Sequence, residues 1–126
     1  MTEKSRNLEA EGEFDYDYVN DILFFKVKNR EYDRSLDFNN FVIDIDTENY
    51  IVGIQIFDAS KFLRMDKIHL RDIPNWKFQA SAQDGAIEIR LFYQINIRGK
   101  IVEGQPIIMK DTDEDLPSSQ MITASH

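Results

Sequence analysis

The sequence has no cysteine. That excludes disulfides, thiol nucleophiles and thiolate zinc sites together, and it fits a reducing cytoplasm. Histidine occurs only at His69 and His126, so no histidine cluster offers metal-ligand spacing or a general base with an evident partner. The five glycines, Gly12, Gly53, Gly85, Gly99 and Gly104, are all isolated, and neither a phosphate-cradling loop nor a nucleophile elbow can be built from them. No apolar run is long enough to span a bilayer, and the opening MTEKSRNLEAEGEF lacks the apolar centre of a signal peptide. Bases are outnumbered 15 to 23, for a net charge of -8. That balance repels phosphate backbones, so neither nucleic acid nor membrane is expected as a partner.

What is present is enough for one core. The chain has 126 residues, 42% of them apolar and 12% aromatic, which suits a single folded domain rather than a disordered chain. Its commonest pattern is alternation of apolar with polar side chains, the period of a half-buried strand.

Turn chemistry and like-with-like pairing predict four hairpins. A two-residue loop at Asn20-Asp21 sets Phe14 opposite Val27, Tyr16 opposite Phe25 and Tyr18 opposite Leu23, with Glu13 against Lys28 and Asp15 against Lys26 on the other face. A loop over Thr47 to Tyr50 pairs Phe41 with Ile56, Ile43 with Ile54 and Ile45 with Val52. Asn49 is the residue suited to a left-handed conformation there. Asp84-Gly85, a preferred type I′ pair, matches Ala82 with Ile87, Ala80 with Ile89, Phe78 with Leu91 and Trp76 with Tyr93. Gly99-Lys100, read as type II′, brings Val102 opposite Ile97 and Ile107 opposite Phe92.

Between the β halves, residues 58–74 predict one kinked helix or two short turns. Asp58 and Asp66 are its starts, the break falls near Arg64-Met65, and Pro74 is its stop. The fold class expected is mainly β with a short helical segment (α+β): two antiparallel meanders, of about four and three strands, packed around one core. Residues 12–109 form the single domain, with a first meander at 12–57 and a second at 75–109. Residues 1–11 and the acidic 110–126 are expected to be disordered tails.

The run Tyr16-Asp17-Tyr18-Val19-Asn20-Asp21-Ile22-Leu23-Phe24-Phe25 and the run VGIQIFDAS from Val52 to Ser60 resemble the small prokaryotic domain-of-unknown-function family 2283. Its members look like Y-D-x-x-x-D-x-L-Y early and V-G-I-E-I-x-x-A-S late. The likeness covers about residues 14–60. It implies a small β-rich domain, often encoded alone, with no established activity, cofactor or catalytic residue. Gln55 stands where the family usually has Glu, Asn49 where it often has Gly, and Phe24 where Tyr is common. Some relatives are similar to candidate antitoxins encoded beside small ribonuclease-like proteins.

Chemistry on the residues themselves is sparse. Asp44, Asp46 and Glu48 alternate as in a calcium loop, but Gln55 and Asn49 occupy the places where an EF-hand needs its bidentate Glu and its Gly. Glu13, Asp15 and Asp17 share one strand face, on which lysine partners make an ion-paired surface the better account. No catalytic, cofactor-binding or metal-binding residue is therefore assigned. Trp76, Phe78 and Tyr93 belong to a core face, whereas Phe24 and Phe92 lie among polar neighbours and mark a buried second layer or an interface. The function expected is a non-enzymatic, cytoplasmic binding or assembly module, a homo-oligomer covering Phe24 and Phe92. The alternative is an acidic, antitoxin-like partner of a basic ribonuclease-type protein. A metal-binding or catalytic domain centred on Asp44 to Glu48 ranks third.

The net charge is unevenly placed. Residues 1–21 hold seven acids and two bases, residues 110–126 hold four acids and one base, and the remainder is balanced at twelve of each.

Overall fold

The computed structural model describes residues 6–113, 116 and 119–125. The chain is mainly β, as the alternation predicts. In order, it forms β1 (Arg6–Asp17), β2 (Ile22–Val27), β3 (Tyr32–Asp37), β4 (Phe41–Asp46), β5 (Ile51–Ile56), α1 (Ala59–Phe62), α2 (Lys67–Asp72), β6 (Asn75–Gln83), β7 (Ala86–Ile97), β8 (Lys100–Gly104), β9 (Ile107–Asp111) and β10 (Ser119–Ser125). The strands run in the order β3-β4-β5-β2-β1-β10-β6-β7-β8, and β9 pairs β7 alongside β8. Five strands therefore belong to the first half and four to the second, with β10 joining them, rather than the four and three expected.

The two halves share a core because this sheet bends. In the strand order β2 and β6 are three spacings apart, about 14 Å in a flat sheet. Yet Phe25 of β2 stacks on Phe78 of β6 with ring centroids 5.5 Å apart, and meets Trp76 edge-on at 5.8 Å. One apolar cluster accordingly holds Leu23, Phe25 and Ile54 from the first half with Trp76, Phe78 and Leu91 from the second.

The expected tails are corrected at both ends. Residues 6–11 belong to β1, and Leu8 and Ala10 pack against the core. Lys110 and Asp111 finish β9, and residues 119–125 form β10. β10 pairs in parallel with β1, Arg6 opposite Ser119 through Gly12 opposite Ser125, and antiparallel with β6. Each terminal segment supplies the hydrogen-bond partners the other lacks, a pairing too distant in sequence to leave a local signal. Residues 1–5, 114, 115, 117, 118 and 126, also assigned to tails, lie outside the described residues.

The hairpin registers divide sharply. That of β6 and β7 stands as read, from Trp76 opposite Tyr93 to Ala82 opposite Ile87, with Asp84 and Gly85 both at positive φ. The first hairpin is shifted by two. Phe14 faces Phe25, Tyr16 faces Leu23 and Glu13 faces Lys26, so Asp15 lies opposite Phe24 rather than a lysine. The fourth hairpin is shifted by two as well: its turn is Arg98-Gly99, both at positive φ, which makes Gly the second turn residue, and Ile95 faces Val102. In the β4–β5 hairpin the pairs Phe41 with Ile56 and Ile43 with Ile54 hold, but a bulge sets Ile45 opposite Ile51. Asn49 takes the left-handed conformation expected of it.

The helical segment is two short turns. They break at Arg64, at φ 53, and restart after Asp66. Asp58 precedes α1 but makes no side-chain cap.

Candidate functional site

The residues that carry the family likeness converge on one carboxylate. Asp21, left-handed at φ 56 at the end of the β1–β2 turn, accepts the Tyr16 hydroxyl at 2.5 Å, the Ser60 hydroxyl at 2.6 Å and the Ser60 backbone N–H at 3.0 Å. Its carbonyl also accepts the Ala59 N–H at 2.9 Å. The cap of α1 thus comes from Asp21, 39 residues before Ser60 in the chain, and not from Asp58. Desolvation works to raise the pKa of Asp21, but the hydrogen bonds from Ser60 and Tyr16 outweigh it and hold the carboxyl below its usual range. Burial, reinforced by the bond to Asp21, pushes the Tyr16 phenol well above its ordinary value. Next to it, Asp17 accepts two hydrogen bonds from Asn20, at 2.8 and 3.0 Å, which fix the turn and lower that carboxyl too. The Asp21 carboxylate thus ties the β1–β2 turn to the start of α1.

In the Asp44 to Glu48 loop, too, carboxylates are held by groups of the chain itself. Asp46 is 1% exposed. Its Oδ2 receives Arg30 at 2.6 and 2.7 Å, and its Oδ1 receives the backbone N–H groups of Glu48 and Tyr50, both at 2.9 Å. Burial disfavours the Arg30 charge, but the hydrogen bond and attraction of Asp46 exceed that penalty and raise its pKa. Asp44 points elsewhere and accepts the Ser35 hydroxyl at 2.8 Å. Among the described residues no group of three or more His, Cys, Asp or Glu side chains is placed to hold a metal. His69 lies in the last turn of α2.

Phe24 and Phe92, each half-buried, line two separate concavities. Their sequence neighbours Phe25 and Leu91 point into the core, and alternation turns Phe24 and Phe92 the other way. The Phe24 groove, of about 640 Å³, is walled by Tyr32 and carries Glu13, Asp15 and Asp44 against one cation, Lys26. The Phe92 groove, of about 650 Å³, is lined by Tyr93, Lys77, Gln94 and Glu103. Lys77 lies over the Phe92 ring at 5.7 Å, and the Tyr93 ring fills the space that a side chain at Gly104 would need.

Ile107 and Met109 were not legible as surface residues, because the expected register laid Ile107 over Phe92. The structure sets Ile107 beside Arg90 and Met109 beside Glu88, 49% and 67% exposed. They make an apolar pair on the outer face of the edge strand β9, and Ile101, 65% exposed, lies on the same face of β8 beyond Glu103 and Gln105.

Comparison with known proteins adds a family and little chemistry. The model of a protein family of unknown function, DUF2283, matches residues 13–60. A Methanosarcina mazei protein named "Putative hypoxanthine phosphoribosyltransferase" is 31% identical over 90 residues, 71% of this chain and 73% of that one. An uncharacterized protein of Methanocaldococcus jannaschii is 39% identical over 56 residues, 44% of this chain and about half, 48%, of its own length. No solved structure matches.

Proposed function

This chain belongs to the DUF2283 family of proteins of unknown function, and we propose that it is a non-enzymatic assembly module that works in the cytoplasm as a homo-oligomer. The observation that carries the reading is the apolar pair of Ile107 and Met109 on one outer face at an open sheet edge, with Ile101 farther along it. Exposed apolar side chains at an unpaired edge promote association unless something covers them. The opposite edge, β3, carries Asp33, Arg34 and Asp37, charges that discourage pairing.

The name carried by the Methanosarcina relative requires a cradle for a phosphorylated sugar. Here the two helices are four and six residues long and the glycines are isolated, so the reading proposed leaves phosphoribosyl transfer aside. The experiment is light scattering over a concentration series, paired with an assay of phosphoribosyl transfer to hypoxanthine. A mass at least twice that of the chain, with no transfer above background, is the expected result. A strict monomer, or transfer by the purified protein, overturns it.

A second reading has its own support. The Phe24 groove sets three carboxylates and the Phe24 and Tyr32 rings beside one lysine, a surface suited to an arginine or lysine side chain of a basic partner. Loss of partner binding in Asp15→Lys, with oligomeric state unchanged, would favour it.

A further inference from the structure

We infer that two copies of this chain join through β9, antiparallel across a two-fold axis at Ile108, so that the sheet runs on from one protomer into the next. The inference rests on the homo-oligomeric reading above and adds the surface and the register.

The backbone decides which groups are open. Leu91 N–H donates to Pro106 O at 3.0 Å, and Thr112 N–H donates to Gly85 O at 2.9 Å. Residues 106, 108, 110 and 112 therefore direct their peptide groups at β7. The alternate residues Ile107, Met109 and Asp111 direct theirs away from it, toward the open edge. The same three residues carry side chains on the outer face, since Ile108 between them is buried against Ile89. Unpaired peptide groups and exposed apolar side chains thus come from the same residues. What satisfies both is an extended strand with apolar side chains at alternate positions.

The register follows from self-complementarity. A two-fold axis perpendicular to the sheet keeps outer faces together and makes the contact isologous. Centred on Ile108, it sets Ile107 opposite Met109 of the second copy, and the reverse. It also sets Gln105 opposite Asp111, an amide donor against a carboxylate, at each end of that apolar pair. Centred on Met109, it would put Ile107 against the Asp111 carboxylate. Centred on Ile107, it would put Gln105 against Met109. The Ile108 register alone pairs apolar with apolar and polar with polar. It also places Phe92, on the neighbouring strand and the same face, beside the new seam.

A cysteine-free chain allows a direct test with single cysteines. Ile107 and the second copy's Met109 form a hydrogen-bonded pair with Cα atoms about 5.5 Å apart, within disulfide reach, whereas like residues are offset by a further ~7 Å along the strand. A mixture of Ile107→Cys and Met109→Cys chains, oxidised, is expected to yield the mixed disulfide dimer, and each variant alone to stay uncrosslinked. Met109→Lys is expected to halve the mass seen by light scattering while the chain keeps a cooperative thermal melt. Met109→Cys crosslinking alone overturns the register. A dimer that persists in Met109→Lys and never crosslinks overturns the β9 contact while leaving the homo-oligomer in place. A monomeric wild type at every concentration removes both.

Discussion

The Asp21 carboxylate accepts both the backbone N–H and the hydroxyl of Ser60, joining the β1–β2 turn to the first turn of α1. Replacing Asp21 with Ala strands these donors and the Tyr16 hydroxyl, and puts a residue that resists positive φ at a left-handed position. A loss of roughly 2–4 kcal/mol is expected. Asn keeps the conformation and one acceptor, so Asp21→Asn should cost about half as much. Urea denaturation of the two variants and Ser60→Ala measures this; equal losses for Ala and Asn would sink the clamp.

The same carboxylate should shape the acid limb of stability. Its folded pKa is depressed, so the unfolded chain binds the proton first. The contribution is therefore present above the ordinary Asp value of about 3.9 and is lost as pH falls through the lower folded value. Urea midpoints of wild type and Asp21→Asn should differ at pH 6 and converge below about pH 4. A gap that widens in acid contradicts the sign.

Removal of Arg30 leaves the Asp46 carboxylate buried with two backbone donors and no cation. Arg30→Ala is expected to cost about 3–5 kcal/mol, since one partner of a buried pair is harder to lose than both. The double variant with Asp46→Asn should recover part of that loss. Additive losses in the double-mutant cycle would show that the pair is not coupled.

Two glycines under close approach should respond differently to alanine. A Cβ at Gly53 would stand 2.9 Å from the Phe25 carbonyl oxygen and 3.0 Å from Asp44 Oδ2, and the backbone contact cannot yield without disturbing the β2–β5 ladder. Gly53→Ala should cost roughly 1–3 kcal/mol. At Gly104 the obstacle is the Tyr93 ring, a half-buried side chain that can swing aside. Gly104→Ala should cost less, while changing near-ultraviolet circular dichroism as the Trp76–Tyr93 contact, 5.3 Å between centroids, is lost. The opposite ranking of the two melts would count against this account.

Truncation after Asp113 removes no loose tail. It takes out β10 and leaves β1 and β6 with unpaired edges. Such a chain is expected to lose its cooperative urea transition, and a truncated protein with the wild-type midpoint would contradict the topology.

Much of the fold could be read from local chemistry, and the gaps have specific causes. Asp84-Gly85 fixed its hairpin because both residues tolerate positive φ. At Asn20-Asp21 and Gly99-Lys100 a slip of two residues leaves every side chain on its own face, so face-matching cannot detect it. β3 was missed because the edge sequence YDRSLD is charged, and β10 because its partners lie at the opposite end of the chain and in β6. Phe24 and Phe92 stood out as aromatics on polar faces. The open edge did not, since Ile107 and Met109 gain meaning only from the register that exposes them.

The place of β10 also bears on synthesis. It is made after β1 by more than a hundred residues, yet it lies between β1 and β6 in the finished sheet. A ribosome-bound chain can form its hairpins early, but the seam between the halves stays open until residue 125 has cleared the exit tunnel. Until then two long strands present bare edges. Joining such distant segments is slow, so the interval before β10 docks is when those edges are most open to pairing with the wrong chain.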